Sequence, residues 1–404
     1  MQLPVTGQPR TDLFNWQPRG LPAVQVPGLY LHVPFCFHKC HYCDFYSLPR
    51  QAPERMERFV DLVLREAQGW ADGARGPAVR PITLFFGGGT PSLLPLEAMH
   101  RLLAGLGHVF DLSGVTEWTL ECNPATVDEV YCRMLRESGV NRLSFGAQSF
   151  DERELALLER HHLPDDVYSS VAAARAAGFK RLNLDLIYAI PGQTMRSWEK
   201  SLDTALGLET EHLSCYGLTY EPNTPISVRR RSGEIVAAEE ALELAMLHHT
   251  RRRLAAAGLP AYEISNHART GAECRQNLLY WNGGSYIGLG PAAASHVQGW
   301  RWKDRSDLGA WEAGIERGEV PAADVECLTP SQRVGELAML QLRLTRGIDF
   351  DDFHGLTGVD ARREFADLLP RLAGLGLIEQ DEQGIRLTAS GLNVADAVAG
   401  EFIG

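Results

Sequence analysis

Between residues 28 and 219, short apolar runs alternate with helical patterns six times, and this rhythm restricts the fold more than any other feature of the chain. Strands are expected at 28–33, 82–86, 116–122, 142–147, 181–187 and 212–219. Helices are expected at 53–69, 95–108, 126–138, 150–159, 165–177 and 194–206. In the first helix Met56, Phe59, Val60 and Val63 recur at helical spacing with charged residues between them. Strands separated by helices pair in parallel, because the helix supplies the crossover that a parallel pair needs. Six units fall short of the eight that close a full barrel, and the pattern breaks after Tyr220. The expected fold class is therefore α/β, a partial (β/α)6 barrel, with its chemistry at the C-terminal ends of the strands.

The expected organisation is an N-terminal tail (1–27), the barrel (28–222), a helical linker and cap over the barrel mouth (223–328), and a C-terminal winged-helix-like domain (329–404). Glu221-Pro222-Asn223-Thr224-Pro225 marks the break after the barrel, and a long helix is expected at 235–257. Residues 262–298, rich in Gly, Asn, Trp and Tyr, read as irregular chain at the mouth. A helix (331–343), a polar turn, a second helix (359–374), a hairpin (377–387) and a terminal helix suggest the winged helix. Residues 328–404 hold seven arginines, no lysine and twelve acidic residues, a net charge of −5. Phosphate neutralisation would lack its cations, so a lid or a partner surface is expected there and no nucleic acid.

After the first strand come Cys36, Cys40 and Cys43, spaced C-x3-C-x2-C and interleaved with Phe35, Phe37, Tyr42, Phe45 and Tyr46. Three thiolates cannot close a four-thiolate iron-sulfur or zinc site, so either another ligand completes the centre or one position stays open. One reading is a structural zinc site completed by His32, His38 or His41. The favoured one is a [4Fe-4S] cubane on three thiolates with one iron free. The other five cysteines (Cys122, Cys132, Cys215, Cys274, Cys327) follow no disulfide framework, which favours a reducing compartment. With a net charge of −12, no general pull toward nucleic acid or an anionic membrane is expected. Residues 1–20 carry no charged-then-apolar leader, and no apolar run reaches the roughly 18 residues of a membrane span. The expected location is cytoplasmic.

The string Y-x-H-x-P-F-C-x3-C-x-Y-C-D-F, from Tyr30 to Phe45, resembles the radical S-adenosylmethionine (SAM) superfamily. Within it the chain is similar to the coproporphyrinogen III dehydrogenase-like branch and closest to the HemW heme chaperones, over nearly its whole length. The resemblance implies a [4Fe-4S] cluster on Cys36, Cys40 and Cys43 whose free iron is chelated by the amino and carboxylate groups of SAM. Electron transfer then cleaves SAM to a 5'-deoxyadenosyl radical. Gly87-Gly88-Gly89-Thr90-Pro91 follows a strand and opens a helix. Glycines let the backbone approach a ligand closely, and in this context the run resembles the family's turn at the SAM amino group.

Glu121 ends the third strand, where a carboxylate can accept two hydrogen bonds from a ribose or an amine. Gln148 lies beyond the fourth strand, and Arg160 one helix later. Alternation puts Asn183, Asp185 and Ile187 on one face, and an inward carboxylate is costly unless paired or bound to a ligand. Taken singly, each of these polar residues reads as structural. In order and context they match the family's SAM pocket. The resemblance therefore implies cofactor contacts from Tyr30, Tyr42, Gly88, Gly89, Thr90, Glu121, Gln148, Arg160 and Asp185, with backbone or van der Waals contacts from Thr219 and Ala294; no catalytic side chain is implied.

Two departures separate subfamilies. The oxygen-independent dehydrogenases place a fourth cysteine two positions after the third, where this chain has Phe45 after Asp44, and they carry a longer N-terminal extension than residues 1–27. Both differences favour the HemW-like group. That group carries H-N-x-x-Y-W, linked to heme binding, and here the segment reads Gln276-Asn277-Leu278-Leu279-Tyr280-Trp281. A carboxamide replaces imidazole poorly as an axial ligand, which leaves His267, His296 or Cys274 as alternatives. The implied function is a chaperone that passes heme, or a related tetrapyrrole, to client hemoproteins, with flavodoxin or ferredoxin as electron donor. A second reading is an enzyme of the same branch, either a methyltransferase using a second SAM or a tetrapyrrole-modifying oxidoreductase of the oxygen-independent coproporphyrinogen III oxidase type.

Overall fold

The structure, a computed structural model, describes residues 21–71 and 76–403, so most of the tail expected at 1–27 lies outside the described residues. The barrel begins with β1 (Gln25–Val33), followed by two short strands, β2 (Phe35–Cys36) and β3 (Leu48–Pro49), that pair across the cysteine loop. The core strands continue as β4 (Ala78–Gly88), β5 (Glu117–Cys122), β6 (Arg142–Gln148), β7 (Arg181–Tyr188) and β8 (His212–Gly217). Between them run α1 (Pro53–Ala71), α2 (Leu96–Val109), α3 (Glu129–Glu137), α4 (Glu152–Leu157), α5 (Pro164–Ala176) and α6 (Met195–Gly207). All core neighbours pair in parallel, in chain order, as the strand-helix rhythm requires.

Successive side chains of a strand point to opposite faces, and here the two faces differ sharply in chemistry. Leu84, Phe86, Leu120, Leu143, Phe145, Leu184 and Leu213 are buried on the outer face in a core shared with α1, α2, α3, α5 and α6. Each such residue contributes about 1.5–3 kcal/mol through loss of exposed apolar area. In α1 the helical stripe packs Phe59 against Trp311 with ring centres 5.6 Å apart. The inner face is instead lined by Thr83, Glu117, Thr119, Arg142, Ser144, Asn183, His212 and Ser214, all buried and adjacent in register across the parallel strands. A barrel filled only for stability carries branched apolar residues inside. This one carries a hydrogen-bonded polar lining, and Asn183 is its hub, donating to Ser144 Oγ (2.8 Å) and Asp185 Oδ1 (2.8 Å) and bonded through Oδ1 to His212 Nδ1 (2.6 Å).

Residues 223–328 differ from the expected linker and cap. Pro225–Arg231 forms a helix, α7, with Thr224 as its N-cap, and the long helix α8 (Glu240–Ala256) starts later than expected. The segment then supplies strands to both edges of the sheet. β9 (Asn266–Ala268) pairs antiparallel with β8. β10 (Tyr286–Leu289) pairs in parallel with β1 on its other side, and β11 (Ala294–Val297), β12 (Trp300–Asp304) and β13 (Ala322–Cys327) follow antiparallel. Among the described residues the result is an open sheet of 11 strands whose edges are β9 and β13. The remaining helices of the segment are α9 (Arg275–Trp281) and α10 (Leu308–Glu316).

The C-terminal part opens with α11 (Pro330–Gln341) and has a separate core that includes Leu337, Leu342, Phe353, Leu369 and Ile385. A sheet of β14 (Ile348–Asp349), β15 (Ile378–Gln380) and β16 (Gly384–Leu387), in the order β14-β16-β15, carries the expected hairpin as its wing. The helix expected at 359–374 is two short ones, Ala361–Glu364 and Leu368–Gly374, and the expected polar turn contains another, Phe350–Thr357, capped by Asp349.

Candidate cofactor site at the barrel mouth

The cysteine loop leaves β1 at the C-terminal end of the sheet and is tied down along its length. Leu48 N–H donates to Pro34 O (2.6 Å) and Arg50 N–H to Cys36 O (3.0 Å). His41 N–H donates to Leu158 O (3.2 Å), and Ile226 N–H donates to His41 O (3.0 Å). Cys36, Cys40 and Cys43 are all free and half-buried. Cys36 Sγ lies 3.6 Å from Thr90 Oγ1, and Arg160 Nη1 donates to Cys40 Sγ at 3.5 Å. Burial pushes the Cys36 thiol up, and it pushes Cys43 up to about 11. Loading a metal centre on these sulfurs therefore releases protons. A cation beside one ligand tunes the reduction potential of such a centre.

Of the histidines weighed as a fourth ligand, His32 is spent. Its Nε2 donates to Tyr46 O (2.8 Å), and its Nδ1 accepts from Tyr30 OH (3.2 Å). Burial holds this imidazole down at about 4, in its neutral form. His32 braces the glycine turn instead, a role that its place in the Y-x-H string did not reveal.

Beside the loop, β4 ends in Gly87-Gly88, and Gly89 N–H and Thr90 N–H donate to Val33 O (2.8 Å) and Phe35 O (2.7 Å), so the turn continues the ladder with β1 and β2. Gly88 has φ +99°, open to glycine at little cost. Its N–H bonds Glu121, at the end of β5. Gln148 ends β6 at a bulge with φ +64°, a conformation that costs a non-glycine residue about 1 kcal/mol and commonly marks a working position. Ala189 and Ala292, also near this end of the sheet, have φ of +60° and +66°. Arg160 reaches back from the turn after α4 to Asn123 Oδ1 and Gly146 O (2.7 Å), joining the ends of β5 and β6. Asn123 was not among the residues singled out from sequence, and only its place one residue beyond β5 signals it.

Tyr30, on the inner face of β1, stacks near Phe85. Tyr42 packs on the apolar patch of Leu158, Ile187 and Ile226. Thr219 is exposed past the end of β8, and Ala294 is exposed at the start of β11, beside Gly288 of β10. The residues singled out from sequence thus lie at the mouth, on segments from β1 to β11.

Glu121 and Asp185 face each other across this opening. Burial, then the Asp185 carboxylate, lifts Glu121 to about 8; burial also raises Asp185, against hydrogen bonds from Ser214, Asn183 and Ser144. A pair of inward carboxyl groups both raised by burial fits a ligand bringing cationic or hydroxyl groups, and SAM carries an ammonium, a sulfonium and ribose hydroxyls. A carboxyl held above its ordinary value of 4.5 stabilises the fold fully below pH 4.5, and that contribution is lost as pH rises toward 8. Glu121→Gln is therefore expected to flatten the fall in stability between pH 5 and 8 in the cofactor-free protein, with a gain at pH 8 on the order of 1–2 kcal/mol once solvent screening at the half-buried carboxyl is discounted. Denaturant titrations across that range check it, and identical slopes for both proteins would remove Glu121 from the account.

The opposite end of the barrel is closed by α9. Glu117, the first residue of β5, accepts from Gln276 N–H (3.2 Å) and Cys274 Sγ (3.4 Å) and pairs with Arg181 (3.7 Å). Gly28 leaves room for Leu279, since a Cβ there would stand 2.4 Å from Leu279 Cδ2. Within the segment expected at the mouth, α9 therefore plugs the bottom, because the buried Glu117 carboxylate needs the donors that it supplies, while Ala292 and Ala294 stay at the mouth. Gln276 has no exposure at all. The three alternative ligands fare no better. His267 and Cys274 are buried, and His296 is engaged on both ring nitrogens, by Gly284 O (3.1 Å) and Gly299 N–H (3.0 Å).

The sequence model of the radical SAM superfamily matches residues 30–205, and that of the HemN C-terminal domain matches 328–394. The chain is 33% identical over 380 residues to the heme chaperone HemW of Bacillus subtilis (strain 168), covering 94% of this chain and 100% of that one. It is also 33% identical over 399 residues to the heme chaperone HemW of Mycobacterium tuberculosis (strain H37Rv), covering 97% and 100%. Among solved structures, coproporphyrinogen III oxidase (HemN) from Escherichia coli, a radical SAM enzyme, superposes with a TM-score of 0.81 at 23% identity over 94% of this chain and 90% of that one, a likeness of fold. End-to-end identity at this level, joined to a three-cysteine loop at the mouth of a parallel six-strand core, makes the chain a member of the HemW family within the radical SAM superfamily.

Proposed function

We propose that this protein is a heme chaperone: it binds heme or a related tetrapyrrole and hands it to client hemoproteins, while Cys36, Cys40 and Cys43 hold a [4Fe-4S] cluster and the mouth residues hold SAM. The end-to-end likeness to curated heme chaperones carries this reading. Phe45, in place of the fourth cysteine of the dehydrogenases, supports it. The cluster and SAM together supply one-electron reductive chemistry, with flavodoxin or ferredoxin as the electron source. Within the chain, Gly88 N–H fixes Glu121, Asn183 and Ser144 orient Asp185, and the Arg160 guanidinium bridges Cys40 to the ends of β5 and β6. All eight cysteines are free thiols, which suits the reducing cytoplasm. Among the described residues no helix is long and apolar enough to cross a membrane.

Because Gln276 is sealed beneath the barrel, axial ligation of heme iron belongs to a group that reaches solvent. The cluster-loaded protein and Gln276→His are each titrated with hemin under anaerobic conditions, while 5'-deoxyadenosine and methylated products are followed. Heme binding by both proteins, with little SAM consumed in the absence of a client, is expected. Steady SAM cleavage on a small substrate without heme binding would place the protein among the enzymes of the branch instead.

A further inference from the structure

A second cluster of ligating side chains stands beside the cysteine loop. His38, between Cys36 and Cys40, faces Glu159 and His161 from the turn after α4, and one ligating atom from each lies within 4.8 Å of the others. His38 Nε2 is 3.5 Å from Glu159 Oε2, and the His38 and His161 rings meet edge to face with centres 4.6 Å apart. The two segments are held in this relation by the bond from His41 N–H to Leu158 O (3.2 Å).

Two further observations point to a ligand. His38 Nε2 is shielded from solvent and makes no hydrogen bond, and the one charged group beside it is the Glu159 carboxylate at 3.5 Å, so its lone pair or proton is left unsatisfied. Glu159 adopts φ +57°, a left-handed conformation that costs a residue with a side chain about 1 kcal/mol, and this presents its carboxylate to the two imidazoles. Neighbouring His41 is engaged at Nδ1 by Arg229 Nη1 (3.3 Å), with Arg229 itself neutralised by Glu234 at 2.7 Å, and its Nε2 stands 4.0 Å from Glu159 Oε1, outside the closest cluster. The donors that stand closest together are two imidazoles and one carboxylate, the ligand set of a zinc-type ion that keeps a position for water.

We propose that His38, Glu159 and His161 form a site for one divalent transition-metal ion, zinc or a similar borderline cation, separate from the three-cysteine centre. Modest rotation of the side chains brings the donors to the separations such an ion requires. The bound ion would cross-link the cysteine loop to the turn that carries Arg160. The proposal does not depend on the chaperone reading.

The test uses the full, untagged chain with its iron-sulfur cluster reconstituted anaerobically, so that the loop thiolates are occupied, dialysed against zinc and analysed for iron and zinc. Wild type is expected to retain about one zinc per chain more than His161→Ala, a change at an exposed side chain, while both hold about four irons. Glu159→Gly relieves the backbone strain, so loss of zinc from it cannot be charged to misfolding; its zinc Kd is expected to rise at least about tenfold. Equal zinc in wild type and both variants overturns the proposal. Zinc and iron lost together would also overturn it, because the ion would then belong to the cysteine centre.

Discussion

Cys40→Ala is expected to give a folded chain that reconstitutes no [4Fe-4S] cluster and cleaves no SAM. Two thiolates from one short loop cannot hold a cubane against loss of iron, and the nearest described replacements are unsuitable. His32 is committed to Tyr46 O and Tyr30 OH, His41 Nδ1 to Arg229, and His38 faces Glu159 and His161 beyond α4. The fold does not depend on the sulfur. Cys40 is half-buried, and the loop is held by backbone bonds at Pro34, Cys36, His41 and Leu158 that alanine leaves intact. The cofactor-free variant should therefore unfold within about 1 kcal/mol of cofactor-free wild type.

Iron content and the brown charge-transfer absorbance after anaerobic reconstitution read the first effect, and thermal unfolding reads the second. A variant that keeps its colour and iron would sink the ligand assignment. Cys132→Ala is the matched control. Cys132 is wholly buried in α3, away from the mouth, so its loss should cost stability and spare the iron.

The six core strands could be read from sequence to within a few residues because their outer faces bury regular apolar runs, Leu182, Leu184 and Leu186 among them, under amphipathic helices. Periodicity reports local burial, and in the core burial follows the local pattern. It fails at β10, where Tyr286–Leu289 is short and its parallel partner is β1, from the far end of the barrel segment. It fails again at α9, whose place is set by a buried carboxylate on β5 that no local pattern in 275–281 announces.

The site divides in the same way. Cys36, Cys40, Cys43 and the glycine turn are legible because each works within one contiguous stretch. The bridge from Arg160 to Asn123, Gly146 and Cys40 joins four separate segments, so only the fold brings it together. His38, Glu159 and His161 stayed hidden for the same reason: the first lies on the cysteine loop and the other two beyond α4.

Gly88→Ala is expected to cost about 3 kcal/mol in stability and to weaken SAM binding at least about tenfold. The energy has two sources. At φ +99° an alanine pays about 1–2 kcal/mol for the left-handed backbone. Its Cβ would also stand 2.5 Å from His32 Cε1 and Nδ1, an overlap worth a further 1–3 kcal/mol, by about the usual scale of overpacking. The ring cannot swing aside, because Tyr46 O and the Tyr30 hydroxyl hold its two nitrogens at 2.8 and 3.2 Å. The turn must move instead, which shifts the N–H that bonds Glu121 and draws Thr90 away from Cys36. Gly87→Ala should be milder, since its Cβ would meet the movable end of Glu121 at 3.0 Å without the backbone strain. Calorimetric titration of SAM into the cluster-loaded variants separates the two positions. Equal affinities and equal unfolding temperatures at both would mean that the mouth tolerates a side chain where the geometry leaves none, and that Glu121 and Thr90 are not positioned by this turn.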